Sequence, residues 1–102
     1  MRIVTTDTFD RDVGRLARGE KELFYRVLET RFLPACDRRV DNPTEPWPAS
    51  LRVKQMKSRP DVIEFTWEYR DGRATFQWQN PSGEVPFVLL RRVGGHAVLD
   101  NP

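Results

Sequence analysis

The chain has 102 residues, 38% hydrophobic and 31% charged, with a net charge of +2 at neutral pH, a length and composition that suit one domain, 1–102, burying its core without staples. A single cysteine, Cys36, and a single histidine, His96, exclude a disulfide scaffold and a structural zinc site. The longest apolar run, Phe87–Leu90, excludes a membrane span. Met1–Asp7 holds no apolar stretch of signal-peptide length, so a reducing cytoplasm is the expected location. The small net charge does not by itself mark a nucleic-acid binder. Of the 17 basic residues 14 are arginine, the side chain suited to bidentate phosphate contacts, although GC-rich coding produces the same bias.

Met1–Thr6, with Ile3 and Val4, reads as a short strand. Thr6 or Asp7 can cap a following helix, whose apolar positions are Phe9, Val13 and Leu16 and whose end is expected at Gly19. A second helix is predicted from about Glu20, with Leu23, Phe24, Val27, Leu28 and Phe32 as its apolar stripe. Pro34 is expected to break or kink it, because proline lacks a ladder donor and clashes with the preceding turn. Asp41–Ser50, with Pro43, Pro46 and Pro48 around Trp47, reads as the one long loop, and Trp47 is expected to plug it onto the core.

After that loop the hydrophobic period changes to two. Leu51–Met56 is a first strand, and Ile63, Phe65, Trp67 and Tyr69 mark a second. Asp71-Gly72 is a strong turn signal, followed by Ala74, Phe76 and Trp78 on a third strand. Asn80-Pro81-Ser82-Gly83 leads to a fourth at Phe87–Val93. The expected fold is therefore α+β: an N-terminal strand, two helices, then a four-stranded antiparallel meander. The helices should cover the face bearing Ile63, Phe65, Trp67, Ala74, Phe76 and Trp78. The opposite face carries Glu64, Thr66, Glu68, Arg73, Thr75 and Gln77, and is the expected place for function. Cys36 is read as a helix-end core residue.

Four stretches in this order resemble the RelE/ParE toxin superfamily of type II toxin–antitoxin systems. They are the entry Val4–Asp12, the strand Leu51–Lys57, the hairpin Ile63–Trp67 with Asp71–Phe76, and the ending Leu90-Arg91-Arg92-Val93-Gly94-Gly95-His96. The ending is similar to that of YafQ- and HigB-like members. The resemblance covers nearly the whole chain and implies a RelE-like fold. It also implies a ribosome-dependent mRNA endonuclease that uses the RNA's own 2′-hydroxyl as nucleophile and needs no metal or small-molecule cofactor. Such chemistry requires a base, cations for the phosphorane charge and an acid for the leaving 5′-oxygen.

By that resemblance His96 takes the position of the terminal acid and Arg73 that of the phosphate-binding arginine in the hairpin. Glu64 is the candidate base, expected close to Arg73 on the polar face. Lys54, Lys57 and Arg91 or Arg92, whichever faces out, are candidates for holding RNA or the ribosome. The implied partners are a cognate antitoxin, the ribosome and mRNA, with no membrane. The carboxylates Glu64 and Glu68 depart from the cationic face of the nuclease members, as does Ala97 from the acidic residue that often follows the histidine. They keep open a ParE-type toxin that inhibits DNA gyrase without cutting, or an inactive relative.

Overall fold

The computed structural model describes residues 1–102. Strand β1 (Arg2–Thr5) is followed by α1 (Asp7–Arg15), α2 (Arg18–Val27) and α3 (Leu33–Asp41). Strands β2 (Lys54–Gln55), β3 (Ile63–Thr66), β4 (Arg73–Gln79) and β5 (Phe87–Gly94) complete one sheet of order β1-β5-β4-β3-β2. All neighbours are antiparallel except β1, which runs parallel to β5 with Arg2 opposite Phe87. The α+β expectation is met: a terminal strand added to a four-stranded meander, with helices on one face.

Thr6 caps α1, its hydroxyl accepting from the Phe9 N–H at 3.0 Å. The second helix begins at Arg18 and contains Gly19, so the first ends earlier than the glycine suggested. Pro34 does not break the helix. Between α2 and α3 lies one wide turn, Leu28–Phe32, in which the Leu33 N–H donates to the Leu28 carbonyl five residues back. The wider turn gives the proline ring room that a regular turn lacks, and its missing N–H is absorbed there. The helix therefore continues to Asp41, and one face buries Phe24, Val27, Leu28, Phe32, Ala35 and Cys36.

That face lies on the expected side of the sheet. Phe32 stacks on Phe65 at 4.4 Å between ring centroids and meets Phe76 edge-on at 4.9 Å. Trp47 stacks on Phe32 from the loop side at 5.9 Å, as its place among prolines suggested. Trp67 is buried and Trp78 packs on the core. Cys36 is fully buried, and burial pushes its thiol up to about 12, so it stays protonated and inert at neutral pH. Phe32 touches three aromatic rings, so Phe32→Ala should destabilise the fold by about 3–5 kcal/mol, read as a lower urea midpoint at unchanged slope.

Two strand boundaries differ from the sequence reading. The first meander strand shrinks to Lys54–Gln55, because Ala49–Leu51 forms a tight helical turn that ends at Arg52 in the left-handed region (φ 46°). Strand β5 carries a bulge. Thr75 pairs with Arg92 but Phe76 pairs with Leu90, which leaves Arg91 as the extra residue. Leu90 and Val93, three apart, can then both face the core, a spacing that strict alternation forbids.

Where β1 ends, α1 takes over as the neighbour of β5. The Thr6 hydroxyl donates to the Arg91 carbonyl at 2.9 Å, and the Val93 N–H donates to Asp12 Oδ2 at 3.1 Å. Asp12 is buried and also receives both arms of Arg92, at 2.7 and 3.2 Å.

Candidate functional site

The site lies where the β3–β4 turn meets the end of β5. Strand β3 stops at Thr66 and β4 starts at Arg73, so the connection is six residues, Trp67–Gly72, and not a tight two-residue hairpin. Its frame is backbone: the N–H groups of Trp67 and Glu68 both donate to the Gly72 carbonyl. Glu68 Oε1 accepts from the Asp71 N–H at 2.7 Å and the Gly72 N–H at 3.2 Å. These backbone donors, Asp71 first, hold the Glu68 carboxyl below its ordinary range. A Cβ at Gly72 would collide with Glu68 and the Trp67 ring, so the turn closes only on glycine.

Across this turn comes Gly94-Gly95-His96. Asp71 Oδ1 accepts the His96 main-chain N–H at 2.9 Å and lies 2.7 Å from His96 Nδ1. The bond to the His96 N–H, and then that to its ring, hold the Asp71 carboxyl below the usual range. An ionised carboxylate only accepts, so Nδ1 carries its hydrogen toward Asp71 and Nε2 is left free. A Cβ at Gly95 would run into the Asp71 carboxylate, which explains the second glycine of the pair. Both side chains are open to solvent, His96 54% and Asp71 66% exposed. An exposed imidazole with one nitrogen tethered and the other free can give or take a proton.

The sequence reading saw Asp71 only as a turn residue. Its partner is 25 positions away, and no local pattern joins the two. Asp71 titrates low because the folded chain donates to its ionised form, so its stabilisation is complete above the ordinary carboxylate range. Protonation as pH falls through the lowered value removes it. A carboxyl-carbon NMR titration should show Asp71 with a midpoint below that of an ordinary aspartate, about 3.9, and His96→Gly should raise it.

The other candidates have different surroundings. Arg73 is near this pair but is buried, and its guanidinium donates to the carbonyls of Glu68 at 3.1 Å and Gly72 at 2.9 Å. It braces the turn. Glu64 stands opposite Thr75, whereas Arg73 stands opposite Thr66, so the expected Glu64–Arg73 pair does not form. Glu64 is buried and pairs with Lys54 at 3.6 Å. Lys54 and Lys57 are exposed on the β2 edge. Arg91 reaches across the outer face to Gln77 Oε1 at 2.9 Å, and Arg92 is taken by Asp12.

The outer face is not open as expected. Residues His96–Asp100 form a tight helical turn, and the segment to Pro102 folds back over the sheet. Val98 and Pro102 are buried, and the Pro102 carbonyl oxygen accepts from Thr75 Oγ1 at 3.2 Å and Arg91 Nε at 3.0 Å. Arg92 donates to the Asn101 carbonyl at 3.0 Å. Glu64, Thr66, Arg73 and Thr75 are all buried, Thr75 under this tail, and their polar alternation marks the outer face without revealing such a cover.

No protein-family model and no curated protein sequence matches the chain. Its fold does match solved structures. A crystal structure of a histidine-to-glutamine variant of YafQ from E. coli superimposes with a TM-score of 0.63 over 96% of both chains, at 18% identity. YafQ in the E. coli DinJ–YafQ complex gives 0.55 over 96% of both chains, at 20% identity. The solution structure of the conserved hypothetical protein HP0894 from Helicobacter pylori gives 0.51 over 95% of this chain and 96% of that one, at 13% identity. The chain therefore shares the fold of YafQ, an α+β sheet with helices on one face.

Proposed function

We propose that this chain is the toxin of a type II toxin–antitoxin pair and that it cuts mRNA on the translating ribosome. The observation that supports this reading most directly is the exposed Asp71–His96 pair, seated at the end of the sheet on a YafQ-like fold. The substrate supplies its own nucleophile: the 2′-hydroxyl attacks the neighbouring phosphorus, and the bond to the 5′-oxygen breaks. His96 in its imidazolium form gives the Nε2 proton to that leaving oxygen, the 2′-hydroxyl proton departs to solvent at this open site, and solvent returns a proton to Nε2. Asp71 fixes the tautomer and supports the charged imidazole. In this reading Arg73, buried and bonded to the turn carbonyls, braces the site, and Glu64, buried and paired with Lys54, takes no part as base. Lys54 and Lys57 on the β2 edge supply cations for the ribosomal RNA backbone.

The partner in this reading is a small antitoxin, in keeping with the DinJ–YafQ complex among the fold neighbours. Two experiments test it together. Induction of the chain alone should arrest bacterial growth, with relief on co-expression of the product of an adjacent reading frame. Primer extension on purified ribosomes should map new mRNA ends. Absence of cutting alongside inhibited gyrase supercoiling would overturn the nuclease reading in favour of the ParE-type one.

A further inference from the structure

Tyr69 projects from the same turn as Asp71 and is the most exposed large hydrophobic side chain of the molecule, 74% open to solvent. The Arg52 guanidinium carbon lies 4.8 Å over its ring. Arg52 is the one residue other than glycine with positive φ, a left-handed conformation that collects at ligand sites. Beside the two is a cavity of about 430 Å³ lined by Arg31, Ser50, Arg52, Thr66, Trp67 and Tyr69, together with Ala49. Arg31 enters it from the wide turn Leu28–Phe32, another irregularity that recurs at functional positions.

The charge in this cavity is unbalanced. No carboxylate lines it, and neither Arg31 nor Arg52 has an ion pair. The arginines elsewhere on the sheet are spent on their own chain: Arg73 on the turn carbonyls, Arg91 on Gln77 and Pro102, Arg92 on Asp12. Two unpaired guanidinium groups, an open aromatic face and the hydroxyls of Ser50 and Thr66 together match one chemistry. A ring stacks on the tyrosine, and an attached anion meets the arginines.

The cavity is also close to the proton-transfer pair. Thr66 on its floor stands opposite Arg73, and Arg73 stands opposite Gly94, two residues before His96. Two strand spacings, about 10 Å, separate the Thr66 and Gly94 backbones. We propose that this cavity is a nucleotide subsite: an unpaired RNA base next to the cut position stacks on the Tyr69 face turned away from Arg52, and its phosphate is held by Arg31 and Arg52. The assignment rests on the nuclease reading for its substrate, though not for the binding it foresees.

Fluorescence anisotropy with a labelled single-stranded RNA hexanucleotide tests it on the whole chain. Tyr69→Ala should weaken binding about 5–150-fold, the range set by loss of one base–aromatic stack, while Tyr69→Phe should bind nearly as wild type. Arg31→Gln and Arg52→Gln should each weaken binding and flatten its salt dependence. Val85→Ala, an equally exposed apolar residue outside the cavity, should change nothing. Tyr69 is too exposed to carry the fold, so its loss reports binding and not unfolding. RNA binding that ignores Tyr69, or fails in the wild type, would overturn the subsite. So would tighter binding of an acidic aromatic peptide than of RNA at this cavity. The two readings separate cleanly: Tyr69-dependent binding without cutting leaves the subsite and removes the nuclease, and cutting with unchanged sites in Tyr69→Ala does the reverse.

Discussion

His96→Ala should lower mRNA cleavage on purified ribosomes by about 10²–10⁴-fold, the span expected on losing a general acid. The side chain is about half exposed and its only ring partner is Asp71, so the melting temperature should stay close to wild type. Asp71→Asn gives the companion result. It keeps the shape of the pair but removes the charge that supports the imidazolium, so it should slow cleavage less than His96→Ala and move the alkaline limb of the pH–rate profile, where a general acid loses its proton, to lower pH. A purely structural Asp71 would leave that limb in place. Arg73→Ala, which the sequence alone marks as a loss of phosphate contact costing about 10²–10³-fold, has a different expected signature. Its guanidinium ties two turn carbonyls, so the loss should show as a lower melting temperature together with lower activity. Equal cutting by wild type and His96→Ala would remove His96 from the chemistry.

Asp12→Ala should be the most damaging surface-distant substitution for stability. Asp12 is buried, receives two bonds from Arg92 and caps the Val93 N–H left without a strand partner. Removing the carboxylate strands a largely buried guanidinium and an orphaned amide. Breaking such a pair costs about 3–5 kcal/mol, a large share of the about 5–15 kcal/mol that holds a small domain together. Guanidinium titration followed by tryptophan fluorescence should show the midpoint collapse. A loss under 1 kcal/mol would mean that water reaches Arg92 and replaces the carboxylate.

The elements were legible where the pattern was local. Alternation of Ile63, Phe65 and Trp67 against Glu64 and Thr66 named the core face of β3, and the helical spacing of Phe24, Val27, Leu28 and Phe32 named its cover. The Thr6 cap was likewise readable. What escaped depends on contacts between distant positions. The passage of the helix through Pro34 depends on a wide turn that no residue type announces. The bulge at Arg91 shows only once β4 is laid beside β5. His96 stood out through its glycine-flanked ending, whereas the residue it meets, Asp71, looked like turn punctuation. Glu64 and Arg73 share the polar face that alternation marks, yet both are buried, and the tail that closes over their neighbour Thr75, His96–Pro102, has no period at all.

The pairing of β1 with β5 sets a timetable as well as a shape. Arg2–Thr5 find their strand partners only at Phe87–Leu90, and Asp12 finds its cation at Arg92. A chain emerging from the ribosome must hold its first strand and helix unpartnered until β5 has been made. Closing so long a loop is slow relative to local helix formation. The Asp71–His96 pair also joins late, since His96 lies beyond that final strand. The Asp71–His96 pair therefore cannot assemble before the strand that leads to it has been made, and β1 and α1 wait for that same strand.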